Sequence, residues 1–147
     1  MKKSQIIILL FGLSLAAYLL IAPLRGAGIA AWNLTGTGIA SVVSFVLYFF
    51  LTVYCLKRFA GRLSVRAIVL SLIAGAAVFE IVLRCIHFSD TLMTLPEACI
   101  RIIAILNGAF FYASGRKALK TAVTVCLFAL TVCYGLFGAM GRIGCCL

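Results

Sequence analysis

Acidic side chains are nearly absent from this chain, which has three Asp and Glu residues among 147. Charged residues of both signs make up 11%, against about 25% in soluble domains. So little charge excludes an ordinary water-soluble domain. Prolines are also rare, two in all, and no long polar linker divides the chain, so we interpret residues 1–147 as one domain.

Histidine occurs once, and the seven cysteines form no C-x-x-C pair. A zinc site needs several good ligands at matched spacing, and thiol oxidoreductases typically use C-x-x-C. The sequence therefore predicts no metal and no cofactor. The 13 Lys and Arg residues are not interleaved with exposed aromatic residues on a basic face, so nucleic acid is not expected as a partner.

Apolar residues are abundant instead, at 65% of the chain, and they fall in five long runs. A hydrocarbon core about 30 Å thick needs about 20 apolar residues in a helix. No run alternates with period two, and only helices or closed barrels satisfy every backbone group in lipid. A glycine-rich loop is expected at 23–38. We predict an all-α polytopic membrane protein, a compact bundle of five transmembrane helices at 6–22, 39–56, 67–83, 95–113 and 122–140.

Cations are divided unequally between the two ends of these helices. Nine lie on the side of the N-terminus, and four lie on the other side: Arg25, Arg84, Arg101 and Arg142. The positive-inside rule predicts a cytoplasmic N-terminus and an outer C-terminus, and the lysine-led start of the chain favours a bacterial inner membrane. The basic cytoplasmic loops are expected to bind anionic lipid headgroups. If the first run were a cleaved signal peptide, four helices would remain in the same orientation.

Residues 79–101 concentrate the scarce polar chemistry, including all three acids and the single histidine. On a helix, Glu80, Arg84 and His87 fall within an arc of about 60°, and a second Glu and Arg repeat the favourable i, i+4 order on the next helix. A short loop should make these two helices antiparallel neighbours. Ionisable groups in membrane segments are functional candidates by default. The candidate binding cluster is Glu80, Arg84, His87, Asp90, Glu97, Arg101 and Asn107.

A purely structural interpretation of the same stretch is also open. Glu80 could neutralise Arg84 near the membrane surface without binding anything. Thr94 to Glu97 has the pattern of a capping box, with a proline in the first helical turn. Neither feature then needs a ligand.

Small residues at helical spacing mark the expected helix contacts. Gly12 and Ala16 are four apart, as are Ser71 and Gly75, and glycines recur every three residues from Gly135. Such spacing lets helix backbones approach closely in lipid. These contacts are expected within the bundle or with a partner, either a second copy or another membrane protein.

The stretch "PEACIRIIAIL" followed by "GAMGRIG" is similar to the exosortase and archaeosortase pattern. That resemblance implies a cysteine at the outer start of one helix and an arginine at the outer end of the next, which Cys99 and Arg142 match. Ile100 and Arg101 replace the small residue and glycine of the pattern, and Ala139 replaces its asparagine. The third catalytic residue of the family is not matched.

The function expected from these observations is non-enzymatic. We predict a small binding, transport or membrane-complex assembly component with a charged cluster at its outer face. The alternative, implied by the resemblance, is a membrane thiol enzyme that uses Cys99 with Arg101 or Arg142. The sequence offers no complete set of nucleophile, base and orienting group, which favours the first function.

Overall fold

The computed structural model describes residues 2–30, 34–86 and 91–143 and, within them, the side chains of 2–21, 23, 38–78, 80–82 and 97–136. These residues form five α-helices. They are α1 (Lys3–Ala30), α2 (Leu34–Phe59), α3 (Val65–Ile86), α4 (Thr91–Ala113) and α5 (Lys117–Ile143). The described ranges contain no strand, so the all-helical prediction is confirmed.

Four of the helices contain a segment that is long and apolar enough to cross a membrane. The segments are Lys3–Ile21, Gly38–Phe59, Val65–Val82 and Lys117–Leu136. They coincide with the first, second, third and fifth predicted spans to within a few residues. The fourth predicted span, 95–113, lies within α4. None of the four segments lies in the described part of α4.

The expected loop at 23–38 is largely helical, which corrects the prediction. α1 continues through Pro23 to Ala30, and α2 already begins at Leu34. Proline fixes φ near a helical value and removes one backbone donor, so it weakens a helix without having to end it. Membrane helices tolerate this because local adjustments and neighbouring groups satisfy the freed carbonyl.

Helix α2 is the centre of the bundle and packs against the other four helices. The pairs α1–α3, α3–α4 and α4–α5 also touch, so these four helices form an arc around α2. Among the described residues α1 and α5 make no contact, which leaves the arc open between them. Short connections make successive helices antiparallel, so α1, α3 and α5 run one way and α2 and α4 the other.

This alternation brings nine cations to one end of the bundle, here named the cationic end. They lie at the start of α1 or at the α2–α3 and α4–α5 connections: Lys2, Lys3, Lys57, Arg58, Arg62, Arg66, Arg116, Lys117 and Lys120. Eight are exposed. Lys120 is half-buried, with its Nζ 4.6 Å from the centre of the Phe111 ring.

The core lies between α2 and its neighbours and includes hydroxyl groups that bond across helices. Ser14 Oγ donates to the Leu72 carbonyl at 2.6 Å, which ties α1 to α3. Tyr48 Oη donates to the Ser14 carbonyl at 2.9 Å, which ties α2 to α1. Satisfying each hydroxyl internally matters because an apolar surrounding offers no water to replace the bond.

Two of the predicted small-residue contacts are made within the bundle, and one is not. A Cβ added at Gly75 would lie 2.6 Å from the Phe11 carbonyl oxygen, so α1 and α3 touch there. Gly135 meets Gly38 across α5 and α2, with the added Cβ 2.8 Å from the Gly38 Cα. Gly12 has nothing within 4 Å of its added Cβ and lies on an exposed face instead.

We expect Gly75→Ala to destabilise the protein by about 1–3 kcal/mol, the usual cost of overpacking. The added methyl group would meet a backbone oxygen that cannot rotate away, so α1 and α3 must separate. The matched control is Gly12→Ala, another glycine inside a helix, which should cause no loss because its surroundings are open. Unfolding by SDS in mixed micelles measures both variants, and equal effects would contradict the close approach.

Candidate functional site

An ion pair joins α3 to α4 inside the bundle. Arg101 Nη2 donates to Glu80 Oε2 at 2.8 Å, and each side chain is only 5% exposed. Arg101 Nε also donates to the Glu97 backbone carbonyl at 3.1 Å, one turn earlier in α4. The contact of α3 with α4, expected from the short loop, is confirmed.

A tyrosine from α1 completes this cluster. Tyr18 Oη donates to Glu80 Oε2 at 3.4 Å. The Arg101 Cζ lies 4.6 Å from the centre of the Tyr18 ring, a cation–π distance. Glu80, Arg101 and Tyr18 therefore form one buried polar cluster from three helices, here named the ERY cluster.

The ERY cluster lies far from the cationic end. Glu80 is 15 residues beyond Val65, the first residue of α3, which corresponds to about 22 Å along the helix axis. Tyr18 is likewise 15 residues beyond Lys3, the first residue of α1. For an apolar layer about 30 Å thick that starts at the cationic end, the cluster lies in the far third of the layer.

An open groove on the outside of the bundle leads to Glu80. It has a volume of about 200 Å³ and lies between α3 and α4. Apart from Glu80, its lining residues are small or apolar: Ala76, Ala77, Ile81, Ala98, Cys99 and Ile102. Ile81 is 59% exposed and Cys99 is exposed, so the groove opens on the apolar outer face of the protein. Arg101 is not among the lining residues.

Asn107, a predicted member of the site, lies on a different face of α4. It follows Arg101 by six residues, a rotation of about 240° on a helix with 3.6 residues per turn. Its Oδ1 accepts from Thr124 Oγ1 of α5 at 3.4 Å. Its Nδ2 is buried without a partner. The structure therefore does not bring Asn107 into the ERY cluster.

The remaining predicted members of the site are Glu97, His87, Asp90 and Arg84. Glu97 is half-buried, one turn before Arg101. His87 and Asp90 lie outside the described residues, as does the side chain of Arg84, so their relation to the cluster stays a prediction. Within the described ranges no group of three His, Cys, Asp or Glu could hold a metal ion.

Sequence reasoning missed Tyr18, the member of the cluster from α1. The available signal was the pair Ser14 and Tyr18, two polar side chains four residues apart in an apolar helix. Both are buried and both bond to α3, at Leu72 and Glu80 respectively. A polar stripe at i, i+4 in a membrane helix indicates the face turned toward other helices.

Cys99 shares the groove with Glu80, but its side chain and that of Arg101 diverge. Residues two apart on a helix do not face each other, and Arg101 is engaged by Glu80 and Tyr18. The side chain of Arg142 lies outside the described residues.

The chain matches no protein-family model, no curated protein and no solved structure.

We expect Glu80→Gln to destabilise the protein by about 3–5 kcal/mol, because Arg101 would remain buried without its counter-charge. The double variant Glu80→Gln with Arg101→Gln should recover most of that loss, since no net charge is then buried. Lys117→Gln, at an exposed cation, should change stability by less than about 0.5 kcal/mol. The same SDS unfolding measures these three variants and the parent protein. A single variant as stable as the parent protein would show that the pair is not desolvated.

Proposed function

We propose that the protein is a small, non-enzymatic component of the bacterial inner membrane that binds a membrane-resident molecule through the ERY cluster. The binding serves transport or the assembly of a membrane complex. The observation that carries the proposal is a desolvated Glu80–Arg101 pair beside an open groove on the apolar outer face, with Glu80 among the residues that line the groove. A molecule moving laterally in the bilayer could reach such a site.

Binding explains the ion pair better than stability does. Replacing a buried pair by apolar residues of similar volume is often neutral or stabilising, so the pair adds little to folding. Ionisable groups within membrane segments are costly and typically mark a pathway or a binding site. A pair that only fixed the α3–α4 contact would not need a groove beside it.

We propose α4 as the fifth transmembrane span. α3 and α5 both start at the cationic end, and each contains a segment able to cross a membrane. The chain must then return across the same layer between them, and α4 is the segment available. Its 23 residues are about 34 Å long, enough to cross the hydrocarbon core. The excess of cations supports a cytoplasmic N-terminus and an outer C-terminus.

The groove itself supplies a test of binding in cells. A photo-reactive phenylalanine analogue replaces Ile81 at the mouth of the groove, or Leu130 on the outer face of α5 as a matched control. The two side chains are 59% and 64% exposed. Ile81 should give a discrete cross-linked species, and Leu130 should react only with bulk lipid. The Glu80→Gln, Arg101→Gln double variant should lose the Ile81 species while staying folded. Identical products at both positions would contradict a binding site in the groove.

A second function, thiol chemistry, is favoured by one observation, the exposure of Cys99 in the same groove. Substitution of Cys99 by alanine separates the two proposals. A binding component should keep its discrete Ile81 cross-link, because alanine leaves the groove open. An enzyme that attacks its substrate through Cys99 would lose all turnover, and a covalent adduct on Cys99 would be found in the protein from cells.

The orientation predicts which engineered thiols an impermeant maleimide reaches in intact cells. In a background without the native cysteines, Arg62→Cys in the α2–α3 connection should react only after permeabilisation. Restored Cys145, beyond α5, should react in intact cells. If Cys145 also needed permeabilisation, α4 would not cross the membrane.

A further inference from the structure

We propose that the cationic end is a docking surface for the anionic headgroups of phospholipids, and that these headgroups stabilise the folded bundle. The observation behind this proposal is a set of nine cations with no acidic side chain at the same end of the described structure. The inference does not involve the ERY cluster or the groove, so its failure would leave the proposed binding function unaffected.

The acidic residues of the chain do not neutralise these cations. All three fall between positions 80 and 97, around the connection of α3 to α4. That connection is at the opposite end of the bundle, and Glu80 is about 22 Å along α3 from its first residue. Exposed charges are largely screened beyond a Debye length of about 8 Å at physiological salt. The neutralising charge must therefore come from outside the bundle.

Helix electrostatics disfavours most of these cations where they are. Three helices, α1, α3 and α5, begin at the cationic end, and none has an acidic residue in its first turn. The N-terminus of a helix carries a partial positive charge, so it repels a cation and attracts an anion. Seven of the nine cations precede or occupy these helix starts: Lys2, Lys3, Arg62, Arg66, Arg116, Lys117 and Lys120. The last turn of α4, where a cation would be favourable, has none, so helix stability does not account for the arrangement.

The connections that carry these cations are short and hydrogen-bonded. Between α2 and α3, the Arg62 amide donates to the Phe59 carbonyl at 2.9 Å. The Ser64 hydroxyl accepts from the Ala67 amide at 3.3 Å and caps α3. α5 begins after a connection of only three residues from the end of α4. The backbone is thus fixed before a headgroup binds, which lowers the entropy cost of binding.

The depth of the cations matches phospholipid headgroups rather than a soluble protein. Six of them lie within one turn of a helix end: Lys3, Lys57, Arg58, Arg66, Lys117 and Lys120. One turn rises about 5.4 Å, and the headgroup layer adds about 5–8 Å to each side of the hydrocarbon core. The Lys120 ammonium group also lies over the Phe111 ring, as expected for a cation at the edge of an apolar layer.

Thermal unfolding of the purified protein in dodecyl maltoside at low salt, followed by circular dichroism, measures the stabilisation. The probes are dioleoylphosphatidylglycerol and dioleoylphosphatidylcholine, which share their chains and differ in net headgroup charge. One phosphatidylglycerol bound at ten times its dissociation constant should raise the unfolding midpoint by about 3–6 °C. Phosphatidylcholine should raise it less. Salt at about 0.5 M should remove most of the difference, because the Debye length falls to about 4 Å.

The variant that tests the surface removes four exposed cations near the starts of α3 and α5, by Arg62→Gln, Arg66→Gln, Arg116→Gln and Lys117→Gln. It should lose at least half of the phosphatidylglycerol effect. The matched control, Arg62→Lys with Arg66→Lys and Arg116→Lys, keeps the charge and should keep the effect. Without lipid, the glutamine variant should unfold no lower than the parent protein, because repulsion between like charges is reduced. That midpoint also shows that the variant is folded.

The other outcomes would overturn the proposal. Equal stabilisation by phosphatidylcholine would show that headgroup charge is not recognised, and the cations would then serve only to orient the helices during insertion. Equal stabilisation by soluble glycerol phosphate would assign the surface to a free phosphate compound. Stabilisation by polyglutamate and not by phosphatidylglycerol would assign it to an acidic protein. A glutamine variant that retains the full effect would place the bound lipid elsewhere on the bundle.

Discussion

Two opposite charges can be buried in an apolar bundle only if they remain in contact, because an unpaired buried charge is strongly destabilising. The packing around Glu80 and Arg101 holds the two side chains in contact. Gly75, five residues before Glu80, lets α1 approach α3 closely enough for Tyr18 to reach the carboxylate. Gly108, seven residues after Arg101, lets α4 approach α2, where an added Cβ would lie 3.0 Å from the Phe49 carbonyl oxygen. Close helix contacts on both sides therefore fix the two halves of the ion pair.

The bundle is not equally packed throughout. α1, α2 and α3 bury between a third and a half of their apolar spans, whereas α5 buries 11%. The polar bonds follow the same division, since Ser14, Tyr18 and Tyr48 all link helices on the α1 side. On the α5 side, Thr124 of α5 bonds to Asn107 of α4. The well-packed half thus contains the candidate site, and α5 mainly presents apolar surface.

The sequence was sufficient for the helices and for the gathering of cations at one end. Both depend on local properties, the length of apolar runs and the alternation of antiparallel helices. It did not identify the direct bond between Arg101 and Glu80. The i, i+4 rule relates residues on one helix, whereas Arg101 reaches Glu80 from a second helix, and that depends on how α4 is rotated about its axis. The same rotation carries Asn107 away from the site.

Local signals also misjudged the end of the first helix. Pro23 and the following glycines are typical of a loop in water, but α1 continues to Ala30. Intrinsic propensity is a weak guide that the surrounding structure often overrides. Tyr18 was missed for a different reason. A tyrosine in an apolar run has no periodic partner of opposite charge to identify its role.

The separation of Glu80 and Arg101 along the chain has a consequence for biosynthesis. Arg101 follows Glu80 by 21 residues, which takes about 1–4 s at typical rates of synthesis. If α3 entered the bilayer by itself, the Glu80 carboxylate would remain in lipid for that time without Arg101 to neutralise it. Insertion of α3 and α4 together as a hairpin avoids the delay, because the two charges then leave water as a pair. The ion pair therefore links α3 and α4 during their insertion into the membrane as well as in the folded protein.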